Sequence, residues 1–443
     1  MLVNKKEIKI FLSIVLAAFL LSLAYSFYFR ITPAVDAAAY DRIAWNLVQG
    51  NGYKEYAELS YEKDLAIMRV GPGYEFFLAG IYFLFGRHYE MVWIISALLH
   101  ALSALLVFLV AKEIFKEEKG FFIGAVAAAF IAFSPDLITM SGMLMTETLG
   151  IFLIIFSIYL FWRYINSAAK PTWLLLATVL VFGFAVMVRT PAALLFLPFA
   201  YYLIREKNWK HFFIFTLVLI LLFTPWIVRN YYVYHAFVPT NLAFGYDLLA
   251  GNHAGATGEL EPYYLNDEFM RQGRIEGNKM ALKTAVGFIL AHPVEFLMIT
   301  ADRISIYFSF ARPTGFWFHL GGGAKAATLI LSAIYSVLLF IAGFMGIYGL
   351  QAMPSEDKKR AKLFLAMLIM MPLSVVWIIV ETRYRFLVYP FFAVFAGYGL
   401  RALFDKKVAL RALFAIFGIL FLNVAFDVGR NLDRIIERVG EFL

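Results

Sequence analysis

Residues 8–29, "IKIFLSIVLAAFLLSLAYSFYF", are followed at once by residues 30–53, "RITPAVDAAAYDRIAWNLVQGNGY". The first run is about 22 residues, which meets the roughly 20 a helix needs to cross a bilayer and exceeds the roughly 7–15 of a leader-peptide core. Lys5, Lys6 and Lys9 before it and the alanines around Ala37 to Ala39 after it would suit a cleaved leader, but the length favours a retained first helix. After Pro33, which cannot continue a helix, Tyr40, Ile43, Ala44, Leu47 and Val48 recur at helical spacing, with Asp41, Asn46 and Gln49 on the other face. This predicts a short helix lying on the membrane surface and ended by Gly50-Asn51-Gly52. Asp36 stands at its start. Position alone leaves Asp36 two roles: a helix cap or dipole partner, or a carboxylate at headgroup depth that takes a proton from a nucleophile.

Composition sets the solvent. Of 443 residues, 62% are hydrophobic and 16% charged, with a mean hydropathy of +0.75; soluble domains hold about 45–50% apolar and about 25% charged residues. The chain is an all-α polytopic membrane protein. It has no cysteine, which excludes disulfides, thiolate catalysis and cysteine-based metal sites. The seven histidines are scattered, without an HExxH pair, so no metal cluster built on histidine is expected. The net charge of +8 is spread in short groups between apolar runs, a pattern of membrane surfaces and not of nucleic-acid binding. Neither a GxxxxGK loop nor a GxGxxG turn after a strand is present, and no nucleotide site is expected.

Apolar runs near 8–29, 91–111, 120–134, 147–162, 172–188, 191–204, 211–228, 326–350, 363–380, 386–404 and 409–426 predict about eleven transmembrane helices. Residues 73–86 are apolar for only about 14 positions after a Gly-Pro-Gly break, the size of an interfacial or re-entrant segment. Lys and Arg cluster at 5–9, 112–119, 163–170, 205–210, 358–362 and 401–411. If 73–86 does not cross, all these groups face the cytoplasm, the N-terminus with them, and the long loops face the opposite side. The expected organisation is one membrane domain over 1–443, with outside loops at 30–90 and 229–325 that carry amphipathic juxtamembrane helices, one of them at about 268–311. No period marks a repeat array.

Eight arginines stand near the outer helix ends: Arg30, Arg69, Arg189, Arg229, Arg303, Arg312, Arg383 and Arg385. Guanidinium stays charged and grips phosphate with two prongs, so the group favours an anionic lipid substrate, headgroup anchoring being the simpler role for about half of them. Glu147 lies about 16 residues, about 24 Å of helix, from the cytoplasmic Arg163, and so toward the outer face, where it pairs with an arginine or orients an acceptor. Asp136 is read as a loop residue after Pro135. Arg383 and Arg385 flank Tyr384 and suit a phosphate leaving group or a topology anchor; Asn252 and His253 lie in a small-residue loop that either approaches a sugar or simply connects.

The ordered stretches "DAAAYDRIAWNLVQGNGY", "MRVGPGYEFFLAGIYFLFG", "TETLG", "TPWIVRNYYVYHAFVP", "GNHAGATG" and "ETRYRFLVYP" resemble the GT-C glycosyltransferases of glycosyltransferase family 39, which include protein O-mannosyltransferases and aminoarabinose transferases acting on lipid A. The resemblance runs from about residue 30 to 400. It implies a GT-C fold and inverting transfer of a sugar from a polyprenyl or dolichyl phosphate to an acceptor on the outer face of the membrane, which is the extracytoplasmic face of the plasma or inner membrane in a prokaryote and the lumenal face otherwise. The family's essential acid maps onto Asp36, with Asp41 and Glu147 as further acids. Arg69, Arg229, Arg383 and Arg385 are the expected lipid-phosphate ligands, and Asn252 and His253 the expected sugar contacts. The family's RPPGYP element stands here as Arg69-Val70-Gly71-Pro72-Gly73-Tyr74-Glu75, with Val and Glu in place of two prolines, which puts the details of that turn in doubt. No cofactor is required, and a divalent cation is left open should folding join Asp36, Asp41 and Glu147. The expected partners are the lipid-linked donor, membrane lipids and an acceptor that is a protein, a glycolipid or a polysaccharide; nucleic acid is not expected. The rival readings are a lipid-linked-sugar flippase or transporter and an inactive scaffold of envelope polysaccharide assembly. Against transport, the apolar runs carry almost no ionisable residue besides His100.

Overall fold

The computed structural model describes residues 5–69, 71–116, 120–312, 319–432 and 436. Its first half runs α1 (Lys5–Phe29), α2 (Asp36–Val48), α3 (Pro72–Phe85), α4 (Tyr89–Ile114), α5 (Gly120–Ala132), α6 (Pro135–Ser141), α7 (Thr146–Asn166), α8 (Thr172–Val188) and α9 (Phe196–Arg205). The second half runs α10 (Trp209–Tyr234), α11 (Phe244–Gly251), α12 (Tyr264–Arg271), α13 (Arg274–Ala291), α14 (Pro293–Phe308), α15 (Gly322–Tyr348), α16 (Ser355–Leu373), α17 (Tyr389–Phe404) and α18 (Leu410–Arg430). A 3-10 turn, Thr382–Val388, leads into α17.

Seven of the described helical stretches are long and apolar enough to cross a membrane: α1, α4, α7, α10, α15, α17 with its 3-10 turn, and α18. The count rises to nine if the bent pairs α5 with α6 (57°) and α13 with α14 (105°) each make one span. The chain is an integral membrane protein, though the eleven runs are not eleven long helices. Runs 172–188 and 191–204 form α8 and a turn with α9, both short, and run 363–380 begins inside α16, whose first turn is acidic, and leaves it after Leu373. The stretch at 268–311 is helical, as α12 to α14.

In a bilayer, burial against lipid gains nothing, so helices associate by close packing and internal polar pairing. The bundle core is α4 with α1, α5 and α7, continued by α8 on one side and by α17 and α15 on the other. His100 joins three of these helices: its Nδ1 lies 2.6 Å from Ser22 Oγ on α1 and its Nε2 2.9 Å from the Ile131 carbonyl on α5. This pairing accounts for the one histidine that hydropathy left inside an apolar run. The α15–α17 contact rests on glycine, because a Cβ at Gly346 would collide with the Phe395 carbonyl. Asp136 is not in a loop: it is fully buried at the α5–α6 bend.

Two elements set up the region around Asp36. Helix α2 packs on α3, and Asp41 is buried, which corrects its expected outward face. Asp41 accepts bonds from Tyr82 Oη (2.7 Å), Tyr89 Oη (2.9 Å) and Arg87 Nη2 (2.5 Å), so it ties α2 to the α3–α4 corner. Helix α3, at 14 residues, is too short to cross. Gly71 has φ +149°, a left-handed value that disfavours a side chain, and a Cβ on Gly73 would stand 2.8 Å from the Met187 carbonyl carbon. Gly71 and Gly73 thus let the start of α3 approach the end of α8 closely. Glu75, one of the two departures from the family's proline pattern, is fully buried. Burial pushes its pKa up to about 8, with its own backbone, Tyr53 and the Arg69 charge offsetting part of the rise.

Two outcomes follow from this packing. Gly346→Ala should destabilise the protein by about 1–3 kcal/mol through overpacking, whereas Gly418→Ala on α18, where a Cβ meets nothing within 4 Å, should leave the thermal midpoint unchanged. A carboxyl raised from 4.5 to about 8 contributes stability fully present below the unfolded value and lost as pH rises through the folded one. The thermal midpoint of Glu75→Gln should therefore gain on wild type between pH 4.5 and 8 and run parallel to it above; equal pH profiles would show that Glu75 ionises freely.

Candidate active site

Asp36 is the first residue of α2, and the helix cap is Val35, which makes no side-chain capping bond. The carboxylate is instead turned toward two guanidinium groups. Oδ1 accepts from Arg69 Nη1 at 3.3 Å and Oδ2 from Arg383 Nη2 at 3.2 Å. Both distances are long for charge-assisted bonds, which run about 2.7–2.9 Å. The arginines are held more tightly from behind. Arg69 Nη2 donates to Glu55 Oε2 at 2.8 Å, Glu55 also pairs with Arg42, and Arg383 Nε donates to Glu381. Burial raises the Glu55 carboxyl, and its bonds from Arg69 and Arg42 more than reverse this, so it lies below its ordinary value. Glu55 and Glu381 thus aim the guanidiniums, and Asp36 shares them without being locked.

A cavity of about 220 Å³ opens on this acid. It is lined by residues 31–37, by Met143 to Met145, and by Glu381 and Arg383. Asp36 is 29% exposed there. Val35 sits in the lining with φ +50° and ψ −117°, conditions that a β-branched residue rarely adopts. Strain of this kind, of order 1–3 kcal/mol, persists where surrounding structure over-determines the backbone. It holds the chain so that Asp36 enters the cavity at the first helical position.

Behind Met145, Glu147 is buried against Arg189: Arg189 Nη1 donates to Glu147 Oε1 and to Thr146 Oγ1, both at 2.8 Å. The Arg189 guanidinium lies 5.7 Å from the Tyr384 ring and that of Arg383 5.9 Å from it, so Tyr384 spaces the two cations. Glu147 is therefore one half of a pair that fixes the start of α7 against the end of α8.

Arg69 meets Asp36 without being one of the lining residues, and the other candidates do not line the cavity either. Arg229 is boxed by the rings of Tyr61 (4.9 Å), Trp226 (5.1 Å), Tyr234 (5.4 Å) and Tyr53 (5.8 Å). Arg385 is fully buried and donates from Nη1 to the Ser309 carbonyl at 2.8 Å. Asn252, also fully buried, donates to the Leu248 carbonyl at 2.8 Å and accepts from Arg303 at 3.2 Å, which staples its loop in place. His253 stacks on Tyr263 with centroids 3.7 Å apart. Among the described residues no three His, Asp or Glu side chains form a group able to hold a metal ion. Asp36, Asp41 and Glu147 each face arginine. Sequence reasoning missed Glu55 and Glu381; the second stands two residues before Arg383 in "ETRYRF", a spacing that a 3-10 turn makes close.

Residues 69–228 match the family model described as dolichyl-phosphate-mannose-protein mannosyltransferase. No curated protein matches the chain. Among solved structures, ArnT from Cupriavidus metallidurans bound to undecaprenyl phosphate is similar with a TM-score of 0.52 and 14% identity, covering 91% of this chain and 62% of that one. The Archaeoglobus fulgidus oligosaccharyltransferase in the apo form is similar with a TM-score of 0.53 and 14% identity, covering 95% of this chain and 54% of that one. The chain thus spans less than two thirds of either structure's length. Its all-helical membrane bundle has the fold of the GT-C glycosyltransferases.

Proposed function

We propose that the protein is an inverting glycosyltransferase that moves a sugar from a polyprenyl phosphate to an acceptor on the extracytoplasmic face, with its N-terminus in the cytoplasm. The observation that carries this reading is the Asp36 carboxylate shared between Arg69 and Arg383 on the wall of a cavity, in a GT-C fold. The solved ArnT with undecaprenyl phosphate bound supports a lipid-phosphate donor. The grouping of Lys and Arg at one set of helix ends supports the sidedness.

In this reading the proton on the acceptor's nucleophilic heteroatom passes to an Asp36 oxygen as that heteroatom attacks the anomeric carbon from the face opposite the phosphate. The bond from that carbon to the phosphate oxygen breaks with its electron pair, and the configuration inverts. The polyprenyl phosphate leaves with added negative charge, which Arg69 and Arg383 meet without reorganising because Glu55 and Glu381 already aim them. The cavity's apolar wall, Ile31 with Met143 to Met145, lies beside the charged groups and suits the junction between a lipid chain and its phosphate. The two guanidiniums supply the positive charge, and the proposed mechanism requires no metal.

Asp36→Asn should lower kcat by about 10²–10⁴-fold, the usual contribution of a general base. Arg69→Gln or Arg383→Gln should cost roughly 10- to 160-fold in kcat/KM for the donor, the equivalent of about 1.5–3 kcal/mol for a charge-assisted hydrogen bond. Polyprenyl-phosphate release from a panel of lipid-phosphate sugars, read by mass spectrometry with and without EDTA, is the check. Full turnover by Asp36→Asn would remove the base assignment, and loss of release in EDTA would overturn the metal-free mechanism.

A further inference from the structure

The buried carboxylate of Asp136 has no part in the chemistry above, yet it joins the two chain segments that lead to the cavity's walls. It lies at the α5–α6 bend, within a segment apolar enough to be one broken span, and it is 0% exposed. Its Oδ1 accepts from Ser332 Oγ of α15 at 2.6 Å and its Oδ2 from Tyr389 Oη at 2.8 Å. A carboxylate at membrane depth is costly, and it marks function more often than packing.

The covalent path from each side of this carboxylate leads to the cavity. On its own chain, α6 ends at Ser141 and runs on through tight turns, with Gly142 N bonded to the Thr139 carbonyl (3.0 Å) and Met145 N to the Met143 carbonyl (2.9 Å). These turns are the Met143 to Met145 wall. On the partner side, Tyr389 is the first residue of α17 and closes the 3-10 turn that begins at Thr382. That turn holds Arg383, with Glu381 as its cap, and they are the facing charged wall. The Asp136–Tyr389 bond is therefore a crossbar between the segments that carry the two walls, while the Asp136–Ser332 bond runs to α15, which contributes no residue to the lining.

We propose that Asp136 is a positioning residue that fixes the separation of the Met143–Met145 wall from the Glu381–Arg383 wall, and through Arg383 the seat of the donor phosphate. This rests on the reading of the cavity as the donor site. Both hydroxyls donate to the same carboxylate, and the Tyr389 hydroxyl also lies 3.4 Å from Ser336 Oγ of α15; removing either costs packing stability, but of the two bonds to Asp136 it is the Tyr389 one that joins the segments leading to the two walls. The role thus has a signature that stability alone lacks.

The test compares Tyr389→Phe, Ser332→Ala, Asp136→Asn and the Asp136→Asn/Tyr389→Phe double variant. Each full-length protein is assayed for kcat and donor KM, and for equilibrium binding of a polyprenyl phosphate in micelles without turnover. Tyr389→Phe and Asp136→Asn should raise donor KM and weaken binding about tenfold or more, the scale of a lost hydrogen bond to a charged group, with kcat within about threefold. The double variant should be no worse than the poorer single one, since both break the same bond. Ser332→Ala should lower the thermal midpoint about as much as Tyr389→Phe and leave KM and binding within about twofold. Equal changes in Tyr389→Phe and Ser332→Ala, or unchanged binding in Tyr389→Phe, would overturn the proposal. Should Asp136→Asn fail to fold, the Tyr389–Ser332 comparison decides alone. Turnover retained in Asp36→Asn would count against the catalytic reading, whereas wild-type donor binding by Tyr389→Phe with turnover lost in Asp36→Asn would count only against the crossbar.

Discussion

The arrangement depends on one shared carboxylate. Asp36 is held by arginines that lie 33 and 347 residues away along the chain, so the first loop and the last third of the bundle must meet at a single point. Neither ion pair is tight, and each guanidinium has a closer carboxylate behind it. That inequality makes the site usable: each Asp36 oxygen accepts one long bond and keeps a second lone-pair position for a proton, and each guanidinium, anchored from behind, has N–H donors beyond those it gives to Asp36. Exposed or half-exposed ion pairs contribute little to stability. The network's value lies in aim.

Around that point the bundle follows the rules of a solvent that satisfies no polar group. Three buried ionisable side chains in the membrane part are joined to other helices: His100 to Ser22 and the Ile131 carbonyl, Glu147 to Arg189, Asp136 to Ser332 and Tyr389. Removing one partner of such a pair leaves a desolvated group and costs several times what the pair contributes net. Those contacts therefore specify which helices neighbour each other, while the glycine contacts of α15 and α17 set how close they come. The periphery is different. Helices α1, α10 and α18 leave most of their apolar surface outward, as lipid-facing helices do.

The sequence carried the class of protein and the first helix and its end, and it singled out Asp36, Arg69 and Arg383, which the fold brings together, because those signals are local: a run length, a proline, a glycine stop and charges at helix ends. What escaped it was long-range pairing. Asp41 has the spacing of an outward residue, yet Arg87 and two tyrosines reach over from the next corner and bury it. Asp136 follows a proline, which reads as a loop, but in a bent span proline starts a second helix just as well. Arg229 and Arg385 look like Arg69 in the sequence. Only the fold shows that one is boxed by aromatic rings and the other buried beside Ser309.

The central claim is that a lipid-linked sugar seats its phosphate between Arg69 and Arg383 with its anomeric carbon facing Asp36. An experimental structure of Asp36→Asn with a polyprenyl-phosphate sugar trapped in the membrane tests it most directly. The account predicts phosphate oxygens within hydrogen-bond distance, about 2.7–3.2 Å, of both guanidiniums, with the sugar in the cavity beside residue 36. A phosphate bound elsewhere, at Arg229 or at the α13–α14 bend, with the cavity empty, would contradict it.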